Sequence, residues 1–108
     1  MLSESLLFRI KRKASQSTCK SKIAALGFNK RGECVASAVN RPFLSRKGGG
    51  VHAEEEIFKV ALQRGIVRIL ICRVGKGGEL RPIEACKSCS KTAKKLGIRI
   101  TSVLHQEK

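Results

Sequence analysis

The feature that most constrains the fold is a nine-residue apolar run in the middle of the chain. Residues 66–74 read Ile-Val-Arg-Ile-Leu-Ile-Cys-Arg-Val, and nearly all of them are apolar or β-branched. Such a run is typical of a strand that is buried on both faces. Helices are predicted on either side of it, over residues 53–64 and 85–96, and each ends at a glycine suited to a C-terminal cap. The sequence therefore predicts an α/β fold in which helices cover both faces of a sheet.

The other segments complete this sheet to four strands. An amphipathic helix is predicted over residues 4–16, and two strands over 21–29 and 33–39. A glycine-rich loop is predicted over residues 40–51, and a last strand over 98–104. The turn sequence Asn29-Lys-Arg-Gly32 joins the first two strands into a hairpin. Strands separated by helices of about a dozen residues imply parallel crossovers. We therefore expect a mixed four-stranded sheet.

Length and charge limit the possible functions. The 108 residues predict a single domain over 1–108. No apolar run is long enough to span a membrane, and Glu4 interrupts the apolar N-terminus, so we expect a cytoplasmic protein without a signal peptide or membrane partner. The 23 Lys and Arg residues outweigh 8 acidic ones to give a net charge of +15, which should attract phosphate-bearing partners. Tyr and Trp are absent, so aromatic platforms for base stacking are scarce.

Two short fragments carry the residues suited to metal chemistry. His52-Ala53-Glu54 begins one predicted helix, and Cys86-Lys-Ser-Cys89 begins the next. Cysteines at i and i+3 share a helix face, and the helix N-terminus favours their thiolates. With His52 they make three ligands, and three protein ligands with an open fourth position are typical of catalytic zinc. Glu54, two residues past His52, is placed to take a proton from water without binding the metal.

Two other interpretations of the cysteines remain open. A Cys-x-x-Cys pair at the start of a helix also suits thiol–disulfide chemistry, although that chemistry does not need the His-Ala-Glu fragment. A closed structural zinc site, with His105 as the fourth ligand, is the other alternative. The total of five cysteines is odd, which argues against a disulfide framework.

The two fragments together resemble the H-x-E and P-C-x-x-C signature of the zinc-dependent cytidine and deoxycytidylate deaminase superfamily. The segments Asn40-Arg-Pro42 and Ile83-Glu-Ala-Cys86 are similar to the Asn-Arg-Pro and Leu-Glu-Pro-Cys segments of tRNA adenosine deaminases. The resemblance implies a cytidine-deaminase-like three-layer α/β/α fold. It makes His52, Cys86 and Cys89 the Zn²⁺ ligands and Glu54 the proton shuttle. Ala85 departs from the proline of the signature, and the superfamily's fifth strand is expected to be missing.

The substrate contacts that we expect come from the resemblance and from the loop. The resemblance makes Asn40 a contact to sugar or base, and Ala53 and Glu84 sources of backbone groups for the base. Arg41 in the loop is suited to a substrate phosphate, and Phe43 either stacks on the base or packs beneath the loop. Lys87, Lys91, Lys94 and Lys95 are either a solvated helix face or a track for a polyanion.

These features leave three hypotheses for the function. The first is hydrolytic deamination of cytosine in a free nucleoside or nucleotide. The second is deamination of cytosine or adenine in single-stranded DNA or RNA, which the charge favours. The third is a zinc-containing nucleic-acid-binding module without catalysis. In each case the uncovered edges of so small a sheet predict a homo-oligomer.

Overall fold

The computed structural model describes residues 4–17, 22–42, 50–75 and 77–104. Its helices are α1 (Glu4–Ala14), α2 (Ala53–Arg64) and α3 (Lys87–Leu96). Its strands are β1 (Lys22–Asn29), β2 (Cys34–Val39), β3 (Arg41–Pro42), β4 (Gly50–Val51), β5 (Ile66–Val74), β6 (Leu80–Arg81) and β7 (Arg99–Ser102). The three helices have 11, 12 and 10 residues, and none in the described part of the chain is long and apolar enough to cross a membrane.

The sheet is mixed, as predicted, and β5 lies in its middle. Strand β1 pairs with β2 and with β5, in both cases antiparallel. The other edge of β5 is shared, because β7 pairs in parallel with its first half and β6 pairs antiparallel with its last two residues. The long apolar run of the sequence thus has partners on both edges, as a buried strand requires.

The prediction of four strands was wrong by one, because the sheet has five. After β5 a tight turn reverses the chain, and the Gly75 amide donates a hydrogen bond of 2.9 Å to the Glu79 carbonyl. Strand β6 then pairs with the end of β5 and stops at Pro82, which has no N–H to continue a ladder. The predicted loop over residues 40–51 also differs, since its two ends pair as β3 and β4 in a separate two-stranded ladder.

Side chains alternate along β5 between two cores, and this places helices on both faces. Ile69 and Ile71 pack in one core with residues of α2 and α3, including Ile57. Leu70 and Cys72 pack in the other with residues of α1. The three-layer α/β/α arrangement is therefore present, with α1 on one face and α2 and α3 on the other.

A matched pair of substitutions on α2 tests this packing. Ile57 is 1% exposed, whereas Leu62 on the same helix is 86% exposed. Ile57→Ala is expected to lower the free energy of unfolding by about 2–5 kcal/mol, since it removes buried methyl groups and leaves a cavity. Leu62→Ala is expected to change it by less than about 0.5 kcal/mol. Urea unfolding of both variants measures the difference, and equal losses would contradict the burial of this face.

Candidate metal centre

The N-terminus of α2 presents the first candidate ligand. His52 immediately precedes the helix in the N-cap position, with extended backbone (φ −71°, ψ 144°), and its side chain makes no capping hydrogen bond. The ring is therefore not used to satisfy the helix and is available to a ligand. The first turn carries three glutamates, Glu54–Glu56, whose negative charge suits the positive end of the helix dipole.

The N-terminus of α3 presents the two sulfur atoms. Cys86 occupies the N-cap position, also with extended backbone, and its Sγ accepts a hydrogen bond of 3.4 Å from the Cys89 amide. Cys89 lies in the first turn and is 2% exposed. Cys86 lies just before α3 and Cys89 lies in its first turn, so both sulfur atoms are at the start of α3 and close to His52 at the start of α2.

The three side chains converge on one point. His52 Nδ1 lies 3.2 Å from Cys86 Sγ and 3.4 Å from Cys89 Sγ. All three candidate ligand atoms lie within 4.8 Å of one another. Tetrahedral zinc with ordinary bond lengths requires about 3.6 Å between nitrogen and sulfur and about 3.8 Å between two sulfur atoms. The cluster is therefore compatible with zinc in donor type and spacing, and Nδ1 is the ring nitrogen that lies close to both sulfur atoms.

The two thiols of the cluster differ in acidity. Partial burial opposes ionisation of Cys86, but hydrogen bonds with the Ser88 hydroxyl and the Cys89 amide, together with the nearby His52 ring, lower its pKa to about 7. Burial, the hydrogen bond with Cys86 and the charge of Glu54 raise the pKa of Cys89 well above its usual range. Cys86 is therefore the more acidic of the two thiols. A coordinated thiol is deprotonated, so a divalent cation would overcome the raised pKa of Cys89.

The remaining described thiols lie apart from the cluster. Burial raises the pKa of Cys72, in the core beneath α1, to about 11, and its Sγ lies 3.7 Å from the Ile10 carbonyl. Cys34 is half-buried in β2, where its Sγ lies 3.5 Å from the Ala36 carbonyl. Neither thiol is part of the cluster with His52.

Glu54 is the one charged side chain that is buried in the described part of the chain, at 4% exposure. Its charge contributes to the raised pKa of Cys89, and it lies two residues past His52 in the first turn of α2. The two neighbouring glutamates differ from it. Glu55 is exposed, and Glu56 forms a 3.6 Å ion pair with Lys59. Among these three glutamates, Glu54 is thus the one whose side chain is buried in the protein.

The predicted substrate residues lie in several environments. Asn40 Oδ1 accepts hydrogen bonds from the Ile23 amide (2.9 Å) and the Ser17 hydroxyl (2.7 Å), so its side-chain oxygen ties the end of β2 to β1 and to the segment after α1. Ala53 is fully buried and Glu84 is exposed. The side chain of Arg41, and Phe43 and His105 entirely, lie outside the described part of the structure.

Two residues near these groups were missed from the sequence. Ser17 anchors the predicted substrate residue Asn40, and no pattern in the sequence signals that contact. Ser88 hydrogen-bonds to Cys86 at 3.3 Å, and its place between the two cysteines, in the first turn of α3, is a signal that was available.

The fold is that of the cytidine deaminases, which confirms the predicted architecture. The cytidine deaminase of Burkholderia pseudomallei superposes with a TM-score of 0.67 at 16% identity, over 95% of this chain and 87% of that one. A glutamate-to-glutamine variant of the Mycobacterium tuberculosis enzyme gives 0.66 at 11%, over 97% and 89%. The cytidine deaminase of Mycobacterium leprae gives 0.66 at 15%, over 92% and 86%. No protein-family model and no curated protein sequence matches the chain.

Proposed function

We propose that this protein is a zinc-dependent hydrolytic deaminase that acts on an amino-bearing nucleobase, namely cytosine in a free nucleoside or nucleotide. The observation that carries the proposal is the convergence of one imidazole and two thiols at the start of α2, whose first turn also carries the buried carboxylate of Glu54. The fold shared with cytidine deaminases supports it. The proposal treats residues 1–108 as one catalytic domain of a cytoplasmic protein.

Each residue of the centre has a separate task in this proposal. His52, Cys86 and Cys89 hold the zinc ion. When bound, zinc acts as a Lewis acid that lowers the pKa of water to about 7 and so provides a nucleophile at neutral pH. Glu54 transfers the two protons of the attacking water in turn, one to the ring nitrogen beside the reacting carbon and one to the exocyclic amino group. The bond between the ring carbon and the amino nitrogen breaks, ammonia leaves, and the ring carbon retains the water oxygen as a carbonyl.

The proposed zinc site is favoured over a thiol–disulfide function by the position of the imidazole. His52 Nδ1 lies within 3.4 Å of both sulfur atoms, whereas disulfide exchange requires no third donor. A catalytic role is favoured over a closed structural site by Glu54, because a carboxylate kept 4% exposed is a costly feature for a purely structural cluster. A role in proton transfer would explain why the protein keeps a carboxylate buried despite this cost in free energy.

The direct test is turnover of free substrates by the purified, zinc-loaded protein. We expect cytidine, deoxycytidine or their monophosphates to be converted with a change in ultraviolet absorbance and release of one ammonia per base. Comparison of nucleosides with monophosphates shows whether a substrate phosphate contributes to binding. Failure to exceed the rate of Glu54→Ala on every one of these compounds would exclude the free-substrate form of the proposal.

Self-association remains a prediction that accompanies the proposed function. Among the described strands, β2 and β7 each have a ladder partner on one edge alone. Unpaired edges of this kind favour association with another chain or protection by another element. The proposal therefore includes a homo-oligomer, and its symmetry is left open.

A further inference from the structure

Two hydrogen-bond donors outside the candidate ligand set meet at one sulfur atom of the metal centre. The Ser88 hydroxyl lies 3.3 Å from Cys86 Sγ, and the Cys89 amide donates to the same sulfur at 3.4 Å. Both donors belong to the first turn of α3, which begins directly after Cys86. The partners of Cys89 Sγ among the described residues are the other two members of the cluster, His52 and Cys86. The two sulfur atoms are therefore held in different ways.

Hydrogen bonds between the three ligand atoms end when a cation binds. A coordinating thiol loses its proton, and a coordinating imidazole nitrogen carries none, so the ligands then have no proton to donate to one another. The Ser88 hydroxyl and the Cys89 amide are not ligands and keep their protons. A thiolate can accept but not donate a hydrogen bond, so the hydroxyl is then the donor. Binding of a cation therefore leaves Cys86 Sγ with two donors from α3.

The fold does not require the contact between Ser88 and Cys86. Ser88 is exposed, so water can satisfy its hydroxyl. The start of α3 is capped without it, because Cys86 occupies the N-cap position and its Sγ accepts a hydrogen bond from the Cys89 amide. The hydroxyl nevertheless lies within hydrogen-bond distance of a candidate ligand atom. The contact is therefore explained by the metal centre better than by the helix.

We infer that Ser88 is a positioning residue of the metal centre, whose hydroxyl donates a hydrogen bond to the Cys86 thiolate and orients that sulfur toward the ion. The inference rests on the proposed function for the identity of the centre, and it adds a residue that the resemblance does not supply. Cys86 is half-buried and precedes the helix, whereas Cys89 is 2% exposed and is held by its packing. The hydroxyl thus contacts the sulfur atom that packing holds less firmly.

The same hydrogen bond affects the charge that the sulfur gives to the ion. A donor draws electron density from the thiolate, so the ion keeps more of its positive charge and polarises a bound group more strongly. Loss of a group that hydrogen-bonds to a metal ligand typically costs about 10–100-fold in metal affinity or activity. We expect loss of the Ser88 hydroxyl to have an effect in this range.

Zinc affinity tests the inference directly. The dissociation constant for zinc would be measured on the purified 108-residue chain by competition with a chromophoric chelator, without any nucleoside. Ser88→Ala is expected to bind zinc about 10–100-fold more weakly than the parent, because Cys86 loses its side-chain donor. Ser88→Thr keeps a hydroxyl on the same carbon atom and should restore the affinity to near that of the parent.

Ser90→Ala is the matched control for this measurement. Ser90 is also an exposed serine of α3, but in the described part of the chain its hydroxyl is not a hydrogen-bond partner of either sulfur atom of the cluster. This variant should keep the zinc affinity of the parent. The metal-free forms of Ser88→Ala and Ser90→Ala should melt at the same temperature, which separates an effect on metal binding from one on folding.

Cobalt in place of zinc provides a readout that a purely structural role would not change. The absorption band for charge transfer from thiolate to cobalt moves to lower energy when the sulfur loses a hydrogen bond. The band of Ser88→Ala should therefore lie at longer wavelength than that of the parent, whereas the band of Ser90→Ala should not move. Unchanged zinc affinity in Ser88→Ala, an equal loss in Ser90→Ala or an unshifted cobalt band would overturn the inference.

These measurements separate the inference from the proposed function, because none of them involves turnover. A parent protein that binds zinc and responds to Ser88→Ala as expected, yet deaminates no free substrate, would refute the proposed deaminase and support the role of Ser88. An active parent whose zinc affinity and cobalt spectrum are the same in Ser88→Ala would support the deaminase and refute that role.

Discussion

Replacing Glu54 with glutamine is expected to lower the rate of deamination by about 10²–10⁴-fold, the usual contribution of a general acid–base group. Glutamine has nearly the same shape, so it preserves the packing of a side chain that is 4% exposed. It cannot accept the proton of the attacking water. Steady-state kinetics on the best nucleoside measure the loss, which should appear in kcat more than in KM.

Glu55→Gln is the matched control for this prediction. It removes the same charge from the same residue type in the same helical turn, but Glu55 is exposed. Its kcat should stay within about twofold of the original, in keeping with the small effect of exposed substitutions. Both variants should retain the zinc content and the melting temperature of the parent. A comparable loss in the two variants, or full activity of Glu54→Gln, would remove Glu54 from the mechanism.

The choice among three consecutive glutamates was predictable from helical phase. Glu54 shares a face with Ile57, Phe58 and Ala61, and an apolar face must pack inward. The structure buries Ile57 and Ala61 and half-buries Phe58 on that face. The burial of Glu54 thus follows from its spacing from the core residues of α2.

The sequence predicted the long elements well and the short ones poorly. Nine apolar residues in β5 and a dozen residues in α2 are long enough for their periodicity to be distinct. Strand β6 has two residues, too few to show an alternation, and it forms because the turn before it returns the chain to the edge of β5. Strands β3 and β4 are equally short, and their pairing depends on tertiary contact.

The position of the metal cluster was predictable in outline and its details were not. His52 and the two cysteines are separated by 34 and 37 residues, yet each fragment marks the start of a helix. Helix α2 lies before β5 in the chain and α3 lies after it, and both pack on the same face of the sheet, which brings those starts together. The approach of Nδ1 to both sulfur atoms and the opposite pKa shifts of Cys86 and Cys89 depend on distances of a few ångströms, which no sequence pattern contains.

The structure gives Asn40 a role in the fold in addition to the substrate contact that the resemblance implies. The resemblance implies that Asn40 contacts the substrate, and that role stays a prediction. The structure adds that its Oδ1 already accepts two hydrogen bonds, from Ile23 and Ser17. Substitution of Asn40 would therefore disturb the β1–β2 region as well as any substrate contact, so loss of activity in such a variant would not by itself identify a binding residue.

Cys89→Ser is expected to abolish stable zinc binding and, with it, activity. The serine hydroxyl remains protonated near neutral pH and is a much weaker zinc ligand than a thiolate. Cys34→Ser is the control, since Cys34 is a half-buried thiol outside the cluster. Elemental analysis should give about one zinc per chain for the parent and for Cys34→Ser, and much less for Cys89→Ser.

The melting temperature of each of these proteins should depend on whether zinc is bound. A ligand present at a thousandfold excess over its dissociation constant stabilises the folded state by about 4 kcal/mol, so a chelator should lower the melting temperature of the parent and of Cys34→Ser. Cys89→Ser should melt at the lower temperature with or without chelator, because it has no metal to lose. Addition of zinc should restore activity to the chelated parent and leave Cys89→Ser inactive. Full zinc content in Cys89→Ser would mean that the ion is held elsewhere, and the assignment of the His52, Cys86 and Cys89 cluster as the catalytic centre would then be wrong.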